Sequence, residues 1–186
     1  MGLQYAILTM LMRQPFSGYD LVTQFRGAVG FLWNATHQQI YRELERMRRA
    51  KLVSCKVVVQ HGRPNKKIYS ITDDGRDALL RWVAEPGVLQ TTQRAPMLLR
   101  AYSYGRIPPE VALARLEEYR ALHVERLTRL RGFFDEASKA PDEVTRLGSL
   151  LTLKAGILHQ EAYVGWCDWA ADLVRRTKPK AKRTRK

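Results

Sequence analysis

The chain has 186 residues, 45% of them apolar, and a formal net charge of +14. This length suits one large or two small globular domains, and the apolar share argues against an intrinsically disordered protein. The two cysteines, Cys55 and Cys167, lie far apart in unlike contexts, so neither a disulfide scaffold nor a cysteine-based zinc site is indicated.

The positive charge is concentrated at the two ends of the chain. Residues 1–85 hold 13 basic and 7 acidic side chains, residues 86–174 hold 11 of each, and residues 175–186 hold 8 basic and no acidic ones. This distribution predicts that both ends bind a polyanion and that the neutral middle binds protein. The apolar segment at residues 3–12 is too short to span a bilayer and lacks a signal-peptide pattern, so we expect a cytoplasmic, nucleoid-associated protein without a membrane segment.

Two helices are predicted at the start of the chain. Apolar residues recur at helical spacing between residues 3 and 13, and Pro15 ends this first helix. Ser17 can cap a second helix, and Gly27 marks its end. The apolar face of the second helix is formed by Leu21, Val22 and Phe25. We expect these two helices to support the segment that follows.

A third helix is predicted from a cap at Thr36 to about Ala50. On a helical wheel its apolar side chains, Ile40, Leu44 and Met47, fall on one side. The polar side chains opposite them are Gln38, Arg42, Glu45, Arg46 and Arg49, with Gln39 and Tyr41 on the flanks.

The outward face of this helix has the composition of a recognition helix. Glutamine can form two hydrogen bonds with adenine, arginine can do so with guanine, and the first turns of such a helix reach the floor of the major groove. The residues placed to read bases are Gln38, Gln39, Tyr41 and Arg42. Those placed for the DNA backbone are Thr36, Arg46 and Arg49. The alternative is an ordinary solvated face with internal ion pairs, such as Glu45 with Arg49.

A β-hairpin is predicted directly after the third helix. The residues Val53, Cys55, Val57 and Val59 alternate with polar residues, which indicates a strand with one buried face. A turn at residues 62–65 leads to a returning strand at residues 66–71. The side chains expected to contact the sugar-phosphate backbone or the minor groove are Arg63, Asn65, Lys66 and Lys67. A plain surface hairpin is the alternative, but a basic helix beside a hairpin is the order of parts in a winged helix-turn-helix and favours DNA contact.

A fourth helix, capped by Thr72, is predicted to close the first domain. Its inward side chains are expected to be Leu79, Leu80, Trp82 and Val83. Pro86 ends this helix. We therefore place a winged helix-turn-helix domain at residues 1–86 and a linker at residues 87–95.

Several of these segments have sequences that resemble those of one protein family. The segments are GYDL at 18–21, WNATH at 33–37, QIYREL at 39–44, KLV at 51–53 and GRPNKKIYSITDDGRDALLRW at 62–82. Together they resemble the PadR family of bacterial transcriptional regulators. The resemblance is greatest to the branch with a longer C-terminal domain of the virulence-activator type.

This resemblance implies a winged-helix homodimer that binds a roughly palindromic operator, usually as a repressor and in some members as an activator. It assigns Gln38, Gln39, Tyr41 and Arg42 to the recognition helix, and Arg63, Asn65 and Lys66 to the wing. Many members have proline directly after the tyrosine, where this chain has Arg42. Base preference is therefore not transferable from those relatives.

The second half of the chain is predicted to be a helical dimerisation domain at residues 96–176. It comprises a short helix from Pro96 to Tyr104, a long helix from Pro109 to about Ala140, and a last helix capped by Asp142. The last helix is apolar over more than half its circumference and needs cover from a partner subunit, which implies a C2 homodimer. The residues expected at that interface are Leu151, Leu158, Trp166, Trp169 and Leu173.

The last helix and the tail carry two further hypotheses. Tyr163, Trp166 and Trp169 could line a cleft for a small aromatic effector, although aromatic residues of this kind can equally form dimer core. The tail at residues 177–186 has no apolar run and is expected to be disordered and to attract DNA phosphates.

Two rival functions are disfavoured. The four histidines are scattered and accompany neither a phosphate-binding loop nor a nucleophile motif, so we expect neither an enzyme nor a bound metal or cofactor. A non-specific nucleoid or RNA-binding protein would not need Gln38 or Arg42 at the start of a helix. The expected fold is mainly α with a small β-hairpin, in which a winged helix-turn-helix domain precedes a helical dimerisation domain.

Overall fold

The computed structural model describes residues 2–26, 33–59, 65–87 and 95–177. The chain divides into two compact units, residues 1–88 and 89–186. The helices are α1 (Leu3–Arg13), α2 (Gly18–Arg26), α3 (His37–Arg49), α4 (Asp73–Ala84), α5 (Pro96–Ala101), α6 (Pro109–Ser138) and α7 (Glu143–Arg176). The strands are β1 (Phe16–Ser17), β2 (Val53–Val58) and β3 (Lys66–Ile71). The predicted fold class, mainly α with a small β element, is confirmed.

The first unit is built around one hydrophobic core. Ile7 and Leu8 of α1, Leu21 of α2 and Leu44 of α3 are fully enclosed in it, together with apolar residues of β2, β3 and α4. Burying an aliphatic side chain of this size contributes about 1.5–3 kcal/mol. The amphipathic patterns predicted for the first three helices thus converge on one core.

A third strand joins the hairpin, which the sequence did not predict. Phe16 of β1 pairs with Tyr69 of β3, which gives an antiparallel sheet in the order β1-β3-β2. A strand of two residues is too short to show the alternation by which strands are recognised. Ser17 also caps α2 as predicted, since its hydroxyl accepts the Asp20 N–H at 3.1 Å and donates to the Asp20 carboxylate at 2.7 Å.

The predicted buried face of β2 extends over only part of the strand. Val53 is enclosed, whereas Val57 is 51% exposed and Val59, just beyond the strand, is 70% exposed. Val58, on the opposite face of the strand from Val57, is also exposed, so the described end of β2 lies in solvent on both faces. The expectation that Val57 and Val59 are buried is therefore wrong.

The junction between β3 and α4 is tied to the end of α3. The Thr72 hydroxyl accepts the Gly75 N–H at 3.1 Å and donates to the Lys51 carbonyl at 2.7 Å. A Cβ atom at Gly75 would lie 2.0 Å from the Leu52 carbonyl oxygen, so only glycine fits at this position. These contacts hold the hairpin at a set angle to α3.

The prediction for α4 was only partly right. Leu79 is buried, but Leu80 is exposed and Val83 is 65% exposed. Trp82 is partly exposed and stacks on Tyr5 of α1, with ring centroids 4.4 Å apart. Residues 79–83 go more than once around a helix, so a helix that contacts its domain on one side cannot bury all of their apolar side chains.

The second unit consists mainly of an antiparallel pair of long helices. Leu116 and Leu130 of α6 are buried against α7, as are Leu153 and Ile157 of α7 against α6. Two exposed ion pairs join the helices, Arg120 with Asp168 at 2.7 Å and Arg131 with Glu161 at 2.9 Å. The α7 cap was predicted correctly, since the Asp142 carboxylate accepts the Thr145 N–H at 2.7 Å.

The helix predicted to run from Pro96 to Tyr104 is shorter than expected. It ends at Ala101 and is followed by a 3-10 turn at Tyr104–Arg106. Across the portions of the chain that the structure describes, no helix has an apolar stretch long enough to cross a membrane.

Candidate nucleic-acid interface

The start of α3 is set by a reciprocal cap. The Thr36 hydroxyl accepts the Gln39 N–H at 3.3 Å, and the Gln39 Oε1 accepts the Thr36 N–H at 2.8 Å. This capping box satisfies two backbone donors that the helix itself leaves unpaired. It engages the Gln39 side chain at the helix start, so a two-bond contact of Gln39 with adenine would require the Thr36 N–H to lose its partner.

Gln38 and Arg42 lie on the outward side of the first turns of α3, as predicted. Both are exposed, and Ile40 and Leu44 on the opposite side are fully buried. The helix has 13 residues, so at about 1.5 Å per residue it is about 20 Å long. A helix of this size fits the major groove of B-DNA, where glutamine and arginine can distinguish base pairs.

Tyr41 is less available for contact with DNA bases than its neighbours on α3. Its ring lies 4.5 Å from the His37 ring, and a Cβ atom added at Gly18 would come within 2.7 Å of the Tyr41 ring. Tyr41 is 37% exposed and packs against the start of α2. Only part of its side chain therefore faces outward.

The basic residues in the second half of α3 are held by acidic ones. Arg46 pairs with Glu43 at 2.6 Å and also donates to Gln4 of α1. Hydrogen bonding to Glu43 raises the pKa of Arg46 above its usual value. Arg46 therefore lies beside α1, at the edge of the outward face of α3.

Glu45 binds two arginines. It pairs with Arg49 at 3.2 Å, as the alternative reading of this face expected, and with Arg48 at 2.8 Å. Hydrogen bonds from Arg48 and then Arg49 lower the pKa of Glu45 to about 2. Sequence reasoning missed Arg48, although its position three residues after Glu45 is itself the spacing of a helical ion pair.

The base of the wing is positioned by α2. The Lys66 ammonium lies 3.1 Å from the Asp20 carboxylate, which also accepts the Ser17 hydroxyl. The hydrogen bond from Ser17, with help from Lys66, lowers the pKa of Asp20. Asn65 and Lys67 are exposed, and the predicted contact residue Arg63 lies outside the described residues.

The second unit contains an aromatic cluster, but it differs from the predicted one. The Tyr163 ring stacks on His123 at 4.6 Å and meets Trp166 edge-on at 6.4 Å, while Tyr119 of α6 contacts all three rings. Trp169 is 62% exposed and takes no part in these ring contacts. The structure thus brings together two of the three aromatic residues predicted to bind an effector, and adds Tyr119 and His123.

His123 is a structural member of this cluster. It is buried, and its Nδ1 lies 2.6 Å from the Gln160 side-chain oxygen. Burial lowers the pKa of His123, which favours the neutral ring. Within the described ranges, no group of three His, Cys, Asp or Glu side chains is arranged to hold a metal ion.

A cavity of about 620 Å³ adjoins the cluster on the α5 side of α6. Tyr119 contributes to both the cluster and the cavity wall, and Arg100 and Arg115 supply positive charge there. Apolar residues such as Met97 and Leu122 line the remainder. Glu118 also lines the cavity and pairs with Arg115 at 2.8 Å, which leaves Arg100 as the guanidinium without a carboxylate partner among the described lining residues. A space with an aromatic wall and a net positive lining suits a small aromatic anion.

The α7 residues predicted for dimerisation lie largely on an uncovered side of the second unit. Leu151 is 64% exposed and Leu158 is 53% exposed, and Trp169 and Leu173 are likewise open to solvent. Trp166 is only half-buried and contacts Tyr119 within the same unit. Four of the five residues are thus available to another molecule.

Comparison with known proteins agrees with this arrangement of parts. Residues 7–81 match the transcriptional regulator PadR-like family, and residues 93–175 match the virulence activator alpha C-terminal family. The probable transcriptional regulator Rv1176c of Mycobacterium tuberculosis is 36% identical, over 94% of this chain and 98% of its own. The negative transcriptional regulator PadR of Bacillus subtilis is 27% identical, over 89% of this chain and 93% of its own.

Solved structures share the fold along almost the whole chain. Bacillus subtilis PadR in complex with operator DNA superposes with a TM-score of 0.83 at 25% identity, covering 94% of this chain and 99% of its own. The Vibrio cholerae virulence activator AphA superposes with a TM-score of 0.72 at 28% identity, covering 93% and 98%. The same Bacillus subtilis protein has been solved with p-coumaric acid, with a TM-score of 0.77. With a relative of 36% identity over nearly its full length, this winged-helix chain belongs to the PadR-like family of DNA-binding transcriptional regulators.

Proposed function

We propose that this regulator is a homodimeric repressor that binds a roughly palindromic operator through α3 and the wing. The observation that carries the proposal is the outward placement of Gln38 and Arg42 at the start of a capped helix whose opposite face is fully buried. Such a helix presents base-reading side chains at a fixed angle. The exposed Lys67 and the wing base then supply contacts to the DNA backbone.

Dimerisation through α7 completes the proposal. Leu151, Leu158 and Trp169 are spaced seven and eleven residues apart, so they follow one side of the helix, and all three are exposed in the single chain. A second copy that covers this side would bury the stripe and produce two-fold symmetry. The two α3 helices would then have to lie about 34 Å apart to enter successive major grooves.

We favour repression over activation because one relative, PadR of Bacillus subtilis, is a negative transcriptional regulator. The structural likeness to a virulence activator supports the alternative that this chain activates transcription. Either sign requires the same DNA-binding geometry, because the sign depends on where the operator lies relative to a promoter.

In vitro selection with the purified protein tests the proposed DNA recognition. We expect enrichment of one motif with two-fold symmetry, whose half-sites are centred about 10–10.5 base pairs apart or at a multiple of that spacing. Selected sites that overlap promoters would favour repression. Recovery of unrelated sequences would refute sequence-specific recognition and would favour a non-specific DNA-binding protein.

Release from DNA by a small aromatic effector is the second part of the proposal. The cluster around Tyr119 and Tyr163 and the adjoining cavity with Arg100 and Arg115 support it. The Bacillus subtilis protein binds p-coumaric acid, which makes that compound the first to test. We expect it to weaken operator binding and to quench tryptophan fluorescence.

Two matched variants locate the effector. Trp166 contacts Tyr119, so Trp166→Phe should remove most of the quenching. Trp169 lies apart from the cluster, so Trp169→Phe should retain it. Operator affinity that is unchanged across a panel of aromatic acids, together with unquenched fluorescence, would refute control by an aromatic effector.

A further inference from the structure

The ion pairs of the first unit are concentrated on the side that faces DNA in the proposed complex. Among its described residues, the ion pairs join Arg46 with Glu43, Arg48 with Glu45, Arg49 with Glu45, and Lys66 with Asp20. Each of these basic side chains lies on α3 or at the base of the wing. Several of the basic side chains placed to bind phosphates are therefore already engaged when DNA is absent, whereas the exposed Lys67 forms none of these pairs.

Glu45 occupies the central position in this arrangement. Gln38, Arg42, Glu45 and Arg49 are spaced four, three and four residues apart, so they form one stripe along the outward face of α3. A carboxylate in that stripe is directed towards the same groove as the predicted base-reading residues. Because phosphates and carboxylates repel one another, this position is unfavourable for DNA binding unless the carboxylate has another role.

The hydrogen bonds of Glu45 identify that role. Its Oε1 accepts from Arg48 at 2.8 Å and from Arg49 at 3.2 Å, and its Oε2 accepts from Arg48 at 3.0 Å. One carboxylate thus holds two guanidinium groups, Arg48 by two hydrogen bonds and Arg49 by one, in charge-assisted contacts of the kind that phosphates also form. A DNA phosphate must compete with Glu45 for either arginine.

We propose that Glu45 restrains non-specific DNA binding by competing with DNA phosphates for Arg48 and Arg49. Binding to arbitrary DNA depends almost entirely on phosphate neutralisation, so this competition weakens it. Base contacts by Gln38 and Arg42 then account for a larger share of operator affinity. The inference rests on the proposed function, in which α3 faces DNA.

The restraint is permanent rather than switched by pH. The pKa of Glu45 is lowered to about 2, chiefly by hydrogen bonds from Arg48 and Arg49. Because the carboxylate pKa is lowered, Glu45 stays ionised at any pH above about 2, and its ion pairs are lost only as the pH falls through that pKa. Between about pH 5 and 8, changes in DNA affinity should therefore arise from other groups.

Glu45→Gln tests the inference because it removes the charge and keeps the shape of the side chain. We expect binding to a random-sequence duplex to become about three- to tenfold tighter, since two exposed ion pairs no longer oppose it. The slope of log affinity against log salt should become steeper by about one to two, because each additional phosphate contact contributes about 0.9. Fluorescence anisotropy between about 50 and 200 mM salt measures both quantities.

Asp77→Asn is the matched control. Asp77 is exposed on α4, so this variant removes the same charge from the same unit but from outside α3 and the wing. We expect its affinity for random DNA to change less than about twofold. An equal gain from Asp77→Asn would mean that net charge, rather than the position of Glu45, sets the affinity, and would overturn the inference.

A double-mutant cycle separates competition from simple repulsion. In a chain that carries Arg48→Gln and Arg49→Gln, Glu45→Gln should tighten random-DNA binding by less than about twofold. A gain that persists undiminished without the arginines would overturn the proposed competition. Glu45→Ala should tighten binding in the same direction as Glu45→Gln, and circular dichroism should show unchanged helicity in each variant.

The outcomes also distinguish this inference from the proposed function. If the wild-type protein binds its selected operator and Glu45→Gln leaves random-DNA affinity unchanged, the restraint by Glu45 is refuted and the proposed function stands. If the wild-type protein binds neither operator nor random duplex, both are refuted.

Discussion

Replacing both Leu151 and Leu158 with glutamate is expected to produce a monomer that binds operator at least about 100-fold more weakly than the wild-type protein. Both leucines are exposed in the single chain and lie seven residues apart on one side of α7. A pair of carboxylates at the centre of an apolar interface would have to be buried without partners, which opposes association. The large effect on DNA follows because each half-site would then be bound separately, without the gain from linking two binding units.

Sedimentation and operator titration should be measured on the same samples. The matched control carries glutamate at Ala114 and Ala121, two exposed positions of α6 that are also seven residues apart. This control adds the same charge to the same helical pair and should remain dimeric. A Leu151 and Leu158 variant that stays dimeric would refute α7 as the interface, and a monomer with full operator affinity would refute the need for two copies.

The features that the sequence predicted well are those repeated over several turns of helix. The start of α3 follows from Thr36 and Gln39, and its buried side follows from Ile40, Leu44 and Met47. In each case several residues carry the same signal, because one face of a long helix contacts one core. The helical pair of the second unit was predictable because Pro109 and Asp142 mark the starts of two long segments whose apolar residues recur at helical spacing.

The features that the sequence did not predict depend on contacts between distant segments. β1 exists because Phe16 pairs with Tyr69, more than fifty residues later, and two residues have no periodicity of their own. Val57 and Val83 are apolar side chains of the kind that are usually buried, yet both are exposed among the described residues of their unit. Composition indicates which side chains would gain from burial, whereas the tertiary arrangement decides which of them obtain it.

The candidate site shows the same limit at the level of single side chains. The wheel placed Gln38, Gln39 and Arg42 near one another, but it could not show that Gln39 closes a capping box. Similarly, the effector hypothesis joined Trp166 and Trp169 because they are near in sequence, although their side chains point to different surroundings. Helical position predicts direction, and the partner that a side chain meets depends on neighbouring elements.

Replacing Gln38 or Arg42 with alanine is expected to change which sequences the protein prefers. Both side chains are exposed on the outward face of α3, where a two-bond contact with a base contributes about 1–3 kcal/mol of discrimination. Each variant should therefore lose about five- to 150-fold in affinity for the selected operator, because that contact is absent. The affinity of the Gln38→Ala variant for a random duplex should hardly change, since glutamine carries no charge.

Lys67→Ala is the control that distinguishes the loss of a base contact from the loss of a phosphate contact. Lys67 is exposed on β3 at the wing, so its loss should weaken operator and random duplex by similar factors and should reduce the salt slope by about 0.9. Selection repeated with Gln38→Ala should show relaxed preference at one position in each half-site, because the two copies of α3 read symmetric bases. If Gln38→Ala and Lys67→Ala instead weakened every duplex equally, α3 would be acting through charge and shape alone, and the protein would bind DNA without reading its sequence.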